Sequence, residues 1–212
     1  KAADVPLITE YVAQTSGSRE VEVRARVSGI LQKRAYTEGS SVKAGDLLFQ
    51  IDAAPYQAAV DQAAAALKLQ EASLIRAQQD HDRVIPLFKE NAVSQKDRDD
   101  AVAALASAKA SVAAARAALK SAQINLDYTR VTAPIGGVTS AEVRSEGSLV
   151  QPGEGGLLTR ISQLDPIYVK FSLSDNDVLK AQKLAAEGKL RLPAGNRYNV
   201  SLKLPDGAQY GR

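Results

Sequence analysis

The sequence predicts a mixed α and β chain, elongated and multidomain. A long antiparallel α-helical hairpin is inserted into a small β-domain split in two halves, and part of a further β-domain lies at the ends. Three observations predict this. Residues 56–127 carry a sustained heptad repeat. The segments flanking that stretch repeat one another, residue 23 falling on residue 131, an offset of 108. Aromatic residues make up only 5% of the 212, with no Trp, too few for one large globular core.

The first segment reads as short strands. Residues 5–14 have modest strand character, and Thr15-Ser16-Gly17-Ser18 reads as a turn. Residues 19–27 alternate strictly, with Val21, Val23, Ala25 and Val27 on one face and Glu20, Glu22, Arg24 and Arg26 on the other. That period of two marks a half-buried strand. Ser28-Gly29 breaks it. Residues 30–33 follow, then turns at Glu38-Gly39-Ser40 and Lys43-Ala44-Gly45-Asp46, then a strand over 47–51. Asp52 is the candidate N-cap of the first long helix, and Pro55 suits its first turn.

The hairpin follows. In its first arm the heptad picks out Val60, Leu67, Leu74, His81 and Phe88, with Ala63, Gln70, Ala77 and Val84 three residues on. The second arm offers Leu105, Val112, Leu119 and Leu126, interleaved with Ala101, Ala108, Ala115 and Ala122. Large and small apolar residues alternating at a period of seven form a coiled-coil seam. Lys89-Glu90-Asn91-Ala92-Val93-Ser94 is long enough to reverse the chain. Arms of about 33–35 residues are roughly 50 Å long, so the hairpin is expected to project from its domain. Ser94 and Asp97 have the spacing of a capping box for the second arm.

After the hairpin the β-pattern returns. Val23, Ala25, Val27, Gly29 and Ile30 fall on Val131, Ala133, Ile135, Gly137 and Val138. Glu38-Gly39-Ser40 falls on Glu146-Gly147-Ser148, and Val42 and Gly45 fall on Val150 and Gly153. After a short insertion, Leu47-Leu48 and Ile51 match Leu157-Leu158 and Ile161. Neither copy is large enough to bury its own apolar face, so the two are expected to pack together. Leu164-Asp165-Pro166 opens a last segment, with a strand over 167–173 and a helix over 175–187 capped by Ser174 and stopped by Gly188. Residues 198–204 read as a strand and Pro205-Asp206-Gly207 as a turn, after which no closing element is predicted.

Composition narrows the chemistry. A net charge of +3 from 27 basic and 24 acidic residues is a mixed, solvated surface, without the clustered Lys and Arg that nucleic-acid binding needs. There is no Cys, hence no disulfide framework and no thiol nucleophile. There is no Met, so the chain is read as a processed or trimmed product, with any signal peptide or lipid anchor removed. No uninterrupted apolar run of about 18 residues occurs, so no membrane span is predicted. His81 is the one histidine and sits on the seam, where a packed or pH-sensitive residue is the reading. Asp97, Asp99 and Asp100 cluster beside Lys96 and Arg98, a solvated helix start where acids suit the dipole. The sequence offers no catalytic residue, metal site or cofactor site.

Several stretches together carry a family resemblance: Val27-Ser28-Gly29-Ile30, residues 38–45, Gln123-Ile124-Asn125-Leu126-Asp127-Tyr128-Thr129, Val131-Thr132-Ala133-Pro134-Ile135-Gly136-Gly137, and Leu164-Asp165-Pro166-Ile167-Tyr168-Val169. The arrangement resembles the periplasmic adaptor, or membrane-fusion, subunits of Gram-negative tripartite efflux pumps, those of resistance-nodulation-division (RND) drug exporters above all. The resemblance implies a lipoyl-like β-domain in two halves (21–54 and 129–163), the α-hairpin (55–128) and a partial β-barrel domain (1–20 and 164–212). A membrane-proximal domain, largely absent here, would follow. It implies a periplasmic protein held to the inner membrane by an N-terminal lipid outside this chain. Its implied partners are an inner-membrane RND transporter and a TolC-like outer-membrane channel. Self-association into trimers or hexamers is expected, because one hairpin cannot seal a conduit.

In that family the hairpin tip carries an Arg, a Leu four residues on and a Ser eleven on, which dock the outer-membrane duct. Here these positions are Arg83, Leu87 and Ser94. Read without the family, Arg83 is a solvated residue pairing with Asp80, Leu87 is off the seam, and Ser94 is a cap. Pro86 departs from the motif. Proline costs about 3 kcal/mol in a helix interior, so the arm is expected to kink or end there. Two alternatives share the architecture. One is an adaptor of an ABC-type exporter or type I secretion system. The other is a lipoyl or biotin carrier component of an enzyme, disfavoured because residues 52–56 and 127–134 hold no Lys to modify. Copper-handling adaptors would be expected to offer soft Met ligands, which this chain lacks.

Overall fold

The computed structural model describes residues 8–191, 200–204 and 207–210. By contact density the chain divides into two units, Gly17–Ile167 and the segments flanking it, with the boundary falling inside two strands.

In the larger unit, β1 (Ala13–Arg24), β2 (Gly29–Arg34), β3 (Ser41–Val42) and β4 (Leu47–Ile51) lead into α1 (Ala54–Lys89) and α2 (Gln95–Asp127). The chain then forms β5 (Arg130–Thr132), β6 (Gly137–Thr139), β7 (Leu149–Val150) and β8 (Leu157–Phe171). Two four-stranded sheets result, in the orders β1-β8-β6-β3 and β5-β4-β2-β7. They share one core, led by the fully buried Leu31, Leu48, Phe49, Ile51, Val150, Leu158 and Ile161.

The repeat in the sequence becomes a pseudo-two-fold relationship in the fold. Gly29 pairs with Val150 and Val42 with Gly137, so each position pairs with the other's repeat mate. The Leu31 N–H donates to Ser148 O at 2.9 Å, and the Thr139 N–H to Ser40 O at 3.0 Å, again exchanged equivalents. Gly39 and Gly147 have φ of 72° and 85°, and Gly45 and Gly153 have 92° and 99°, conformations that glycine adopts without steric cost. Neither half closes a sheet alone, because each borrows an edge from the other.

The arms of the hairpin run antiparallel. The Arg98 guanidinium lies over Phe88 near the tip, and Arg116 pairs with Glu71 at 3.5 Å halfway along. Leu105, Val112 and Ala101 are buried, and the other predicted seam residues of both arms are half-buried. A lone pair of helices gives each seam residue neighbours on one side only, so most of the seam is half-buried, and the buried positions lie between the tip and the middle of α2. Both arms are anchored at the root. The Tyr56 hydroxyl donates to Ser28 O at 2.6 Å, the buried Thr129 hydroxyl donates to Leu126 O at 2.7 Å, and Tyr56 and Tyr128 pack on the β-core.

Several sequence expectations are corrected. Thr15-Ser16-Gly17-Ser18 is not a turn: β1 runs straight through it, because Gly17 lies against the Gln163 carbonyl, where a Cβ would come within 2.8 Å. Leu164-Asp165-Pro166 opens no new element, since β8 is one 15-residue strand. Asp52 is not the N-cap, a position held by Ala53, yet Asp52 Oδ1 accepts the Ala54 N–H at 3.1 Å and so serves the same helix end. Pro86 does not end α1, which continues to Lys89. It gives up the one bond its N–H would have made to the carbonyl of Asp82, and the helix runs only three residues beyond it. Finally, α2 is long and apolar enough by length and composition to cross a membrane. Alanine supplies that character, and α1 alongside carries Asp61, Lys68, Glu71, Arg76, Asp80, Asp82 and Arg83, the makings of a solvated hairpin.

In the smaller unit Tyr11 and Phe171 stack at 6.3 Å. Helix α3 (Asp175–Ala186) is capped as predicted, Ser174 Oγ accepting the Asp177 N–H at 3.2 Å. The strand predicted over 198–204 is described only from Val200 on, where β9 (Leu202–Lys203) pairs with β10 (Gln209–Tyr210). Residues 205 and 206 of the predicted turn lie outside the described residues, and β10 was not foreseen.

Candidate functional site: the capped tip of the hairpin

The tip is fixed from both sides. Helix α1 ends in a Schellman motif: the Ala92 N–H donates to Leu87 O at 2.9 Å and the Asn91 N–H to Phe88 O at 3.0 Å. Asn91 takes the left-handed conformation this requires, with φ of 57°. Helix α2 begins with a complete capping box. Ser94 Oγ accepts the Asp97 N–H at 3.2 Å, and Asp97 Oδ2 accepts the Ser94 N–H at 3.0 Å and its hydroxyl at 2.6 Å. These bonds hold the Asp97 carboxyl below its ordinary value, the Ser94 hydroxyl bond being the larger cause. Five residues, 90–94, separate the two helices, the first and last of them being the caps.

The three sequence-predicted site residues differ in their freedom. Arg83 is solvent-exposed and ion-pairs with Asp80 on the same arm. An exposed pair of this kind contributes little, about 0–1 kcal/mol, so its guanidinium is readily surrendered to another anion. Leu87 lies four residues on, on the same helix face, and is half-buried rather than free. Ser94 is exposed, but its hydroxyl is committed to the capping box. His81, also on this arm, contacts Asp82 Oδ1 through Nδ1 at 3.1 Å, and that bond, with one from Gln78, lowers the Asp82 pKa.

Two further tip residues escaped the sequence reading. Asn91 carries a recognisable signal, an Asn just past a helix end. Arg98 over Phe88 does not, because the pair is ten positions apart and meets only when the chain reverses. Among the described residues no cluster of His, Cys, Asp or Glu is suited to a metal.

This architecture has relatives. A family model described as "RND MFP, barrel-sandwich hybrid domain" matches residues 19–160, covering both β-halves and the hairpin. The chain belongs to the RND membrane fusion protein family. It is 43% identical over 211 residues to the efflux pump periplasmic linker BepD of Brucella suis, covering 99% of this chain and 53% of that protein. It is 40% identical over 210 residues to the multidrug efflux pump subunit AcrA of Escherichia coli, covering 99% and 53%. Among solved structures, a MacA–MexA chimera containing the Pseudomonas aeruginosa MexA α-hairpin domain aligns at 32% identity, with a TM-score of 0.51 over 82% of this chain and 59% of that one. The chain spans about half the length of the curated relatives it matches. Membership in the RND membrane fusion protein family accounts for the split β-domain and for the hairpin that interrupts it.

Proposed function

We propose that this chain is the hairpin-bearing part of a periplasmic adaptor that joins an inner-membrane RND transporter to an outer-membrane exit channel, and that Arg83, Leu87 and Ser94 dock the channel. The observation that carries this reading is a doubly capped, solvent-facing tip at the end of a two-helix arm rooted in the β-core. A 36-residue α1 rises about 1.5 Å per residue, which sets the tip roughly 50 Å from that root. Relatives at 39–43% identity include proteins named as efflux pump linkers or subunits, which favours a drug exporter over an enzyme component. In the proposed domain division, 21–54 with 129–163 is the lipoyl-like domain, 55–128 the hairpin, and the flanks part of a β-barrel domain. Self-association through the hairpins is part of the proposal. Leu69 and Ile75 are 66% and 59% exposed, and most alanines of α2 outside its seam are exposed, leaving smooth apolar surface for a neighbouring copy. Membrane anchoring by an N-terminal lipid completes the proposal.

The test is site-specific crosslinking in cells. The chain has no Cys, so single cysteines are unambiguous. Ala92→Cys, at the tip, is expected to crosslink to the outer-membrane channel, and Lys68→Cys, nearer the root, is not. Equal yields from both positions would defeat the docking assignment.

A further inference from the structure

We infer that Arg98 is a positioning residue of the tip: stacked on Phe88, it latches the two arms together and thereby sets the direction in which Leu87 points. The inference rests on the docking role proposed for Leu87. The Arg98 guanidinium carbon lies 5.1 Å from the centre of the Phe88 ring, within range of a cation–π contact. Its Nε is buried, 2.9 Å from Asp99 Oδ1 but off the angle that a hydrogen bond needs. The guanidinium thus lies over the ring with its Nε covered, while the side chain as a whole stays about a third exposed.

Phe88 belongs to the last turn of α1 and Arg98 to the first turn of α2. The stack therefore ties the two arms next to the loop. Successive residues of an α-helix are rotated by about 100°, so fixing Phe88 on the seam fixes Leu87 off it. The backbone of both residues is already engaged, Leu87 O by Ala92 and Phe88 O by Asn91. What the caps leave open is the side-chain direction of the last turn, and the Arg98 guanidinium removes that freedom. Pro86 makes the need specific. It has no N–H to donate, so the final turn has one fewer bond than an ordinary helix end, and a side-chain latch compensates.

The test places a nitroxide label on Glu90→Cys in the full-length protein and compares Arg98→Ala, Arg98→Lys and Arg98→Tyr. A cation–π contact at an exposed site corresponds to about a 2- to 5-fold change in a local equilibrium, so Arg98→Ala should raise the mobile fraction of the label by about that factor. The thermal midpoint of the whole hairpin should not move. Arg98→Tyr, which keeps a flat group over Phe88, and Arg98→Lys, which keeps a cation for the ring, are both expected to restore part of the immobile label. In cells the crosslink from Glu90→Cys to the outer-membrane channel should fall with Arg98→Ala and return with Arg98→Tyr. Identical label mobility in wild type and Arg98→Ala, or rescue by neither Tyr nor Lys, overturns the latch. A wild-type tip that never crosslinks to the channel overturns the docking reading instead, while label mobility still decides the latch.

Discussion

Glu38 and Glu146, 108 residues apart, perform the same task in opposite halves of the β-domain. Glu146 Oε1 accepts the Arg34 N–H at 2.7 Å, and Glu38 Oε1 accepts the Glu142 N–H at 2.8 Å. The two donors are also 108 apart, so each half holds the equivalent backbone N–H of the other with the same side chain. Glu38 additionally pairs with Arg34 at 2.6 Å. A charge-assisted bond to a backbone N–H contributes more than a neutral one. Glu146→Ala is therefore expected to destabilise the β-domain by about 1 kcal/mol, and Glu38→Ala by more, because it loses the Arg34 contact as well. Urea unfolding of each single variant measures this. Equal midpoints for Glu38→Ala and wild type would show that the exchanged carboxylates contribute nothing.

The seam makes a sharper demand. Leu105 is 7% exposed on the α1–α2 seam, and an aspartate there is a buried, unpaired carboxylate. Leu105→Asp is expected to cost the hairpin several kcal/mol. Lys120→Asp changes charge at an exposed position off the seam and should cost far less. Far-UV circular dichroism melts compare the two. Coincident curves would mean that the arms do not depend on each other.

These two sites differ in how far the sequence discloses them. The seam is legible because heptad spacing is local: each predicted seam position of both arms is half-buried or buried, and none is fully exposed. The β-repeat is legible because its glycines punctuate both copies at matching places. What sequence could not disclose is how the copies exchange partners. Gly17 looked like a turn residue because its neighbours are Thr and Ser, whereas its place is set by a backbone carbonyl of Gln163, nearly 150 residues away. Leu164-Asp165-Pro166 looked like a boundary for the same reason, local punctuation overridden by long-range pairing. At the tip, Ser94 and Asp97 were legible as a capping box, but the Phe88–Arg98 stack depends on chain reversal and leaves no periodic trace.

The capping box also gives the tip a dependence on pH. Asp97 has a pKa held below the ordinary 3.8, by the Ser94 hydroxyl first and the Ser94 backbone second. For a depressed carboxylate the stabilisation is complete above the unfolded-state value and is lost as pH falls through the folded-state value. The amides of Ser94 and Asp97, the two donors of the box, should thus keep their protection factors at neutral pH and lose them only below about pH 4. Asp97→Asn should abolish the step while leaving the rest of α2 protected. A titration step persisting in Asp97→Asn would assign it to another group.

Arg83 decides the proposed function. Its guanidinium is exposed, and its partner Asp80 is on the same helix, so the fold asks little of it. Replacing it by Asp removes a surface ion pair worth about 0–1 kcal/mol and sets two carboxylates three residues apart, a modest penalty on a long helix. The thermal midpoint is therefore expected to shift little. Docking should respond quite differently. A cation that makes charge-assisted hydrogen bonds to a partner's carbonyls or carboxylates becomes a repelling anion, which reverses the sign of the contact. Arg83→Asp is expected to leave expression, folding and co-purification with the inner-membrane transporter intact, to remove the crosslink from Ala92→Cys to the channel, and to make cells as drug-sensitive as those lacking the adaptor. Asp80→Asn is the control, since it frees Arg83 without reversing it, and resistance should persist. Full drug resistance with Arg83→Asp, its adaptor present at normal levels, would show that the channel is engaged by another surface.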